Sequence, residues 1–92
     1  MATALVTGGT SGIGKAFATE LAERGYDLVL VARDESRLAQ IAVEMREQFG
    51  VVVETLRADL AVRNDLDPII GRLTDPQRPI EVLVNNAGFG LN

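Results

Sequence analysis

The chain has 92 residues, 47% of them apolar, with a formal net charge of −4 and neither cysteine nor histidine. That size allows one small folded domain with a modest core, and acids mixed with bases give no support to binding nucleic acid or an anionic membrane. Without cysteine or histidine, disulfides, thiolate metal sites, cysteine nucleophiles and histidine triads are excluded. No apolar run approaches the roughly 20 residues that span a bilayer. No basic-then-apolar leader opens the sequence, so the expected compartment is the cytosol.

Residues 3–7 are read as a strand around the unbroken apolar run Ala4-Leu5-Val6, as expected of a strand covered on both faces. A helix is predicted from Ser11 or Gly12 to Arg24, with Ile13, Phe17 and Leu21 recurring on one face and Gly25 ending it. Leu28, Val29, Leu30, Val31 and Ala32 make the second strand. Asp34 is the expected cap of a second helix whose stripe is Leu38, Ile41, Ala42, Met45 and Phe49, closed by Gly50. The third strand is residues 51–57. A third helix is predicted within residues 65–73, with Asp67 as cap and Pro68 as first helical residue. The fourth strand runs from Ile80 to Val84 or Asn85. Four strands alternating with three helices predict an α/β fold with a parallel sheet and right-handed crossovers; in the Rossmann-like, dinucleotide-binding arrangement its order would be 3-2-1-4.

The chain is organised around Thr7-Gly8-Gly9-Thr10-Ser11-Gly12-Ile13-Gly14, which links the first strand to the first helix. Free backbone N–H groups and the positive end of a helix dipole meet at such a turn, which suits it to a phosphate or pyrophosphate. Gly8 permits the tight turn, Gly12 a close approach to phosphate, and Gly14 close packing of helix on sheet. An ordinary glycine-rich connection is the bland alternative.

The end of the second strand is where an adenosine ribose is expected. A carboxylate there selects NAD, and a cation accommodates the 2′-phosphate of NADP. Asp34 stands about 20 residues beyond the third glycine, but it is assigned to the helix cap. Arg33 therefore favours NADP, unless it is a plain surface residue. Asp59 and Leu60 follow the third strand, where a carboxylate and a backbone N–H could meet an adenine ring. Asp59 could equally favour the start of the next helix. Asn85, Asn86, Ala87 and Gly88 end the fourth strand, where they can tie strands together, line a cofactor ribose, or both.

Taken together, Thr7-Gly8-x-x-x-Gly12-Ile13-Gly14, Asp59-Leu60 and Asn85-Asn86-Ala87-Gly88 resemble the compact branch of the short-chain dehydrogenase/reductase family. The resemblance implies a nicotinamide dinucleotide, NADP in preference to NAD, and a homo-oligomeric parent protein. It would set Gly8, Thr10, Ser11, Gly12, Ile13 and Gly14 around the pyrophosphate and Arg33 at the 2′-phosphate. Asp59 and Leu60 would meet the adenine, and Asn86, Ala87 and Gly88 would line the riboses. Ser11 stands where many NADP-preferring members carry a basic residue.

Family catalysis uses a serine followed by a Tyr-x-x-x-Lys pair. Here Leu30 stands four residues after Tyr26, and the one lysine is Lys15 in the first helix. The expectation is a fragment: the cofactor-binding portion of an oxidoreductase acting on a carbonyl or alcohol, with its catalytic half elsewhere. The fourth strand would then be an exposed edge, and the helices of the second sheet face would be missing. A non-catalytic dinucleotide-binding module, or a chain that docks through that edge onto another protein, are the alternatives.

Overall fold

The computed structural model describes residues 2–10 and 12–86. Ser11, Ala87 and Gly88, singled out above, lie outside the described residues. Strands β1 (Thr3–Thr7), β2 (Asp27–Ala32), β3 (Val53–Arg57) and β4 (Val82–Asn85) alternate with helices α1 (Gly12–Glu23), α2 (Glu35–Phe49) and α3 (Leu66–Leu73). The sheet is parallel throughout, in the expected order β3-β2-β1-β4. β1 is central, with Leu5 opposite Val29 on one side and Leu83 on the other.

Side chains alternate across the strands, so each strand feeds two cores. Ala4, Val6, Leu28 and Leu30 pack under α1 and α2, against Ala18, Ala22, Leu38, Ile41, Ala42 and Met45. Leu5, Val29 and Val31 turn the other way, against Ile69 of α3 and Ala58. Burying each such leucine or valine contributes about 1.5–3 kcal/mol, which is why the central strands read as continuous apolar runs. Asp34 caps α2 as expected, its carboxylate accepting from the Arg37 N–H, and Gly50 ends that helix at φ 69°.

Three expectations are corrected. The face of α1 that meets the sheet is Gly14, Ala18 and Ala22, not the stripe of Ile13, Phe17 and Leu21. Ile13 and Phe17 are 65% and 47% exposed, and only Leu21 packs at the core margin. Small side chains let the helix axis come close to the sheet, so the residues of least hydrophobicity make the closest contact. α3 begins at Leu66, after a 3-10 turn (Arg63–Asp65), with Pro68 already inside its first turn. That placement removes no helical hydrogen bond, because the first four N–H groups of a helix have no partner within it. The second sheet face is also not bare: α3 covers its centre through Ile69. Leu83 of the edge strand β4 remains 55% exposed.

β3 and β4 start two residues later than expected, at Val53 and Val82. Val52 still holds the sheet, its carbonyl accepting from Leu28 N–H at 2.9 Å and its N–H donating to the Asp27 carboxylate at 3.0 Å. Among the described residues no helix is long and apolar enough to cross a membrane, and no group of acidic side chains is arranged to hold a metal ion.

Candidate functional site

Every described residue predicted for the site lies just beyond the C-terminal end of a strand. Gly8, Thr10, Gly12, Ile13 and Gly14 follow β1, Arg33 follows β2, Asp59 and Leu60 follow β3, and Asn86 follows β4. In open parallel sheets ligands bind along this edge.

The glycine turn is stitched to β2. The N–H groups of Gly8 and Gly9 both donate to the Val31 carbonyl, at 2.8 and 3.4 Å. Gly12 sits at φ 40°, and a Cβ there would meet nothing within 4 Å. A left-handed conformation costs an ordinary L-residue about 1–2 kcal/mol, and the space in front of Gly12 is open to a ligand. Gly14 is the opposite case. A Cβ there would lie 2.0 Å from the Gly8 carbonyl oxygen and 2.9 Å from the Asn86 side-chain nitrogen. Its need for glycine comes from the turn and from Asn86 rather than from the sheet.

Electrostatics separate the two helix starts. The first turn of α1 carries no acidic residue, so the positive end of its dipole is uncompensated. The start of α2 is already neutralised by the Asp34 cap and by Glu35. An anion at this edge therefore finds its most favourable helix start at Gly12.

Arg33 is exposed, and its carbonyl accepts from Arg57 Nε at 3.0 Å. The Asp59 N–H donates to Asp65 Oδ2 at 2.9 Å, while Asp59 Oδ1 accepts from the Ala61 N–H at 2.9 Å. One Asp59 oxygen is thus committed to its own turn. The half-buried Leu60 side chain packs into the core of the second sheet face, so what it offers a ligand is backbone. Asn85 Oδ1 accepts from the Thr7 hydroxyl at 3.0 Å, and Asn86 N–H donates back to that hydroxyl at 2.9 Å. The strand-tying reading of these asparagines is what the structure displays.

Three residues that shape this edge escaped the sequence reading. Thr7 was read only as part of the glycine motif, although its hydroxyl links β1 to the end of β4. Asp65 fixes Asp59 and also pairs with Arg57 at 3.3 Å. Arg37 donates from Nε to the carbonyl of the buried Thr10 at 2.9 Å, holding the middle of the glycine turn. No local pattern announces contacts that span 27 or 79 residues of sequence.

A groove of about 290 Å³ lies at the opposite end of the sheet, lined in part by Asp27, Glu54, Arg72 and Arg78. Both of its arginines are paired: Arg72 Nε with Glu54 at 2.9 Å, and Arg78 with Glu54 at 3.3 Å and with Asp75 at 3.0 Å. Sitting at the strands' N-terminal ends, it is a structural seam away from the glycine turn.

The sequence profile described as short chain dehydrogenase matches residues 2–92. The very-long-chain 3-oxoacyl-CoA reductase of Mus musculus is 44% identical over 86 residues, covering 94% of this chain and 27% of that protein. Among solved structures, a short-chain dehydrogenase from Sphingobium yanoikuyae in complex with NADPH is 49% identical with a TM-score of 0.90, matching 96% of this chain and 34% of that one. L-sorbose reductase from Gluconobacter frateurii, complexed with NADPH and L-sorbose, is 38% identical with a TM-score of 0.87, over 99% of this chain and 35% of its own. The 92 residues thus span about a third or less of the length of these relatives.

Proposed function

The chain belongs to the short-chain dehydrogenase family, and we propose that it is the cofactor-binding portion of an NADP(H)-dependent oxidoreductase acting on a carbonyl or alcohol group. The observation that carries the reading is the turn itself: Gly8 and Gly12 at positive φ, open space before Gly12, and an α1 start free of acidic residues. These features fit a pyrophosphate, whose charge suits oriented N–H groups and a helix dipole. NADPH, when bound, supplies the hydride.

The residues of this chain bind and orient. Gly8, Thr10, Ser11, Gly12, Ile13 and Gly14 surround the pyrophosphate, and Arg33 meets the 2′-phosphate. Asp59, through its uncommitted oxygen, and the Leu60 backbone face the adenine, while Asn86, Ala87 and Gly88 line the riboses. NADP over NAD is supported by Arg33 at the end of β2 and by the NADPH present in two similar structures. A general acid/base is not offered by this segment: Tyr26 lacks the lysine four residues on, with Leu30 in its place. In this reading the proton transfers belong to residues outside these 92.

A charged hydrogen bond to phosphate contributes about 1.5–3 kcal/mol, so Arg33→Asp should lower NADPH affinity roughly tenfold to a hundredfold. NADH affinity should hold or rise. An unchanged NADPH-to-NADH ratio in the intact protein would remove Arg33 from the 2′-phosphate.

Among the described residues β4 ends the sheet, which favours a second reading beside the first. The edge takes a further strand, from the rest of the domain or from another chain. Rapid hydrogen exchange at the β4 amides of this segment alone, slowed in the intact protein, is the expected result. Protected β4 amides in an isolated monomer would count against it.

A further inference from the structure

We propose that the outer edge of β3 is a self-association surface held closed by Arg46, and that the strand it excludes is β3 of a second copy of this chain. Among the described residues the sheet has two edge strands, β3 and β4, and they are built differently. β4 is Val-Leu-Val-Asn, with no charge to discourage pairing. β3 is met by an arginine at each end: Arg46 at Val53, and its own exposed Arg57. Charged side chains on an edge hold off a strand from another molecule.

The outward backbone groups follow from the ladder. Leu28 N–H donates to the Val52 carbonyl, and Ala58 N–H donates to the Ala32 carbonyl. Successive residues of a paired strand face its neighbour alternately. Val52, Glu54, Leu56 and Ala58 therefore turn their backbone toward β2, and Val53, Thr55 and Arg57 turn theirs outward. Each outward residue offers an N–H and a carbonyl, as a further strand would need. Two β3 strands laid antiparallel across a two-fold axis would set Thr55 opposite its own copy and Val53 opposite Arg57, so the edge is complementary to itself.

Arg46 occupies this edge from the helix above. In α2 the buried Met45 lies between Glu44 and Arg46. Successive residues of a helix are about 100° apart, so Glu44 and Arg46 leave α2 on opposite flanks. Glu44 reaches toward α1, where it meets Lys15 at 3.9 Å. Arg46 reaches the other way and donates from Nη2 to the Val53 carbonyl. A pairing strand must displace that bond and the guanidinium that makes it. Val43 stands three residues earlier on the same flank and is 48% exposed. An unguarded edge would thus offer a second copy apolar surface beside the open backbone.

The test is the mass of the intact protein by light scattering over a concentration series, in wild type, Arg46→Gln, Arg46→Lys and Arg46→Gln/Thr55→Pro. Arg46→Gln should move with concentration toward about twice the wild-type mass. Arg46→Lys keeps a charge over the edge and should move less. Thr55→Pro removes one outward N–H and leaves the bonds to β2 in place, so the double variant should return to the wild-type mass. An Arg46→Gln protein with the wild-type mass at every concentration would overturn the proposal. So would association that survives Thr55→Pro, because the copies would then meet elsewhere or through unfolded chain. If Arg46→Gln is recovered only as aggregate, the double variant decides in the same way: soluble protein is the expected result, and continued aggregation overturns it.

Discussion

The Thr7 hydroxyl accepts a hydrogen bond from the Asn86 backbone N–H at 2.9 Å, although 79 residues separate the two in sequence. The same hydroxyl donates to Asn85 Oδ1 at 3.0 Å. One side chain at the end of β1 therefore fixes where the chain leaves β4, and Asn86 in turn stands over Gly14 at the start of α1. The first and last strands in sequence meet at the glycine turn through this bridge.

Thr7→Val keeps the side-chain shape and deletes the hydroxyl. The Asn86 N–H then loses its partner in a part-buried position, and stability should fall by about 1–2 kcal/mol. Urea denaturation should show a lower midpoint at unchanged slope. A midpoint equal to wild type would mean that the bridge contributes nothing net.

The two glycines that open α1 should respond differently to the same added methyl. Gly14→Ala drives a Cβ to 2.0 Å from the Gly8 carbonyl oxygen, an overlap with rigid backbone that should destabilise by about 3 kcal/mol or more. Gly12→Ala meets no atom within 4 Å and suffers only its positive φ, a cost of about 1–2 kcal/mol. The second variant should fold and lose dinucleotide affinity, since its methyl occupies the space before the turn. Thermal melts paired with NADPH titration separate the two effects.

What could be read from the sequence was what local chemistry dictates. The unbroken apolar runs of the central strands, the Asp34 cap and the helix-ending Gly50 each act within a few residues and together forecast the alternating elements; the 3-2-1-4 order followed from the dinucleotide-binding arrangement. The glycine motif was legible because its spacing encodes its own backbone shape. The packing face of α1 was not, because hydrophobicity points to Ile13 and Phe17 while the sheet selects the small Ala18 and Ala22, and the glycine turn with Asn86 selects Gly14. Pro68 misled for a related reason, as a proline is tolerated anywhere in a first turn and does not by itself mark the start. Thr7 with Asn86 and Arg37 with Thr10 depend on tertiary proximity alone.

At the opposite end of the sheet, Arg72 is 6% exposed and depends on Glu54 and the Arg78 carbonyl. Glu54→Gln leaves a buried guanidinium without its counter-charge. Breaking a buried pair costs about 3–5 kcal/mol, and roughly 2 kcal/mol is expected here because Glu54 keeps partial access to solvent. Dinucleotide affinity, read at a temperature where the variant is folded, should not change.

Asp75 gives the sign of one pH effect. The Gln77 N–H and the Arg78 side chain hold its carboxyl below its ordinary value of 3.8. A carboxylate whose folded pKa is depressed adds stability that is complete above the ordinary value and is lost as pH falls through the folded one. Asp75→Asn should therefore flatten the acid limb of the stability profile below about pH 4 and leave its neutral region with the same slope. Because the carboxylate keeps access to solvent, the change should be small. A variant whose acid limb overlays that of wild type would show that Asp75 does not contribute to it.

Calorimetric titration of the intact protein with NADPH and NADH tests most directly whether the glycine turn and Arg33 hold a phosphorylated dinucleotide. The expected result is saturable one-to-one binding with NADPH the tighter ligand, and loss of that preference in Arg33→Asp. Equal affinity for the two dinucleotides, or no binding of either, would contradict it.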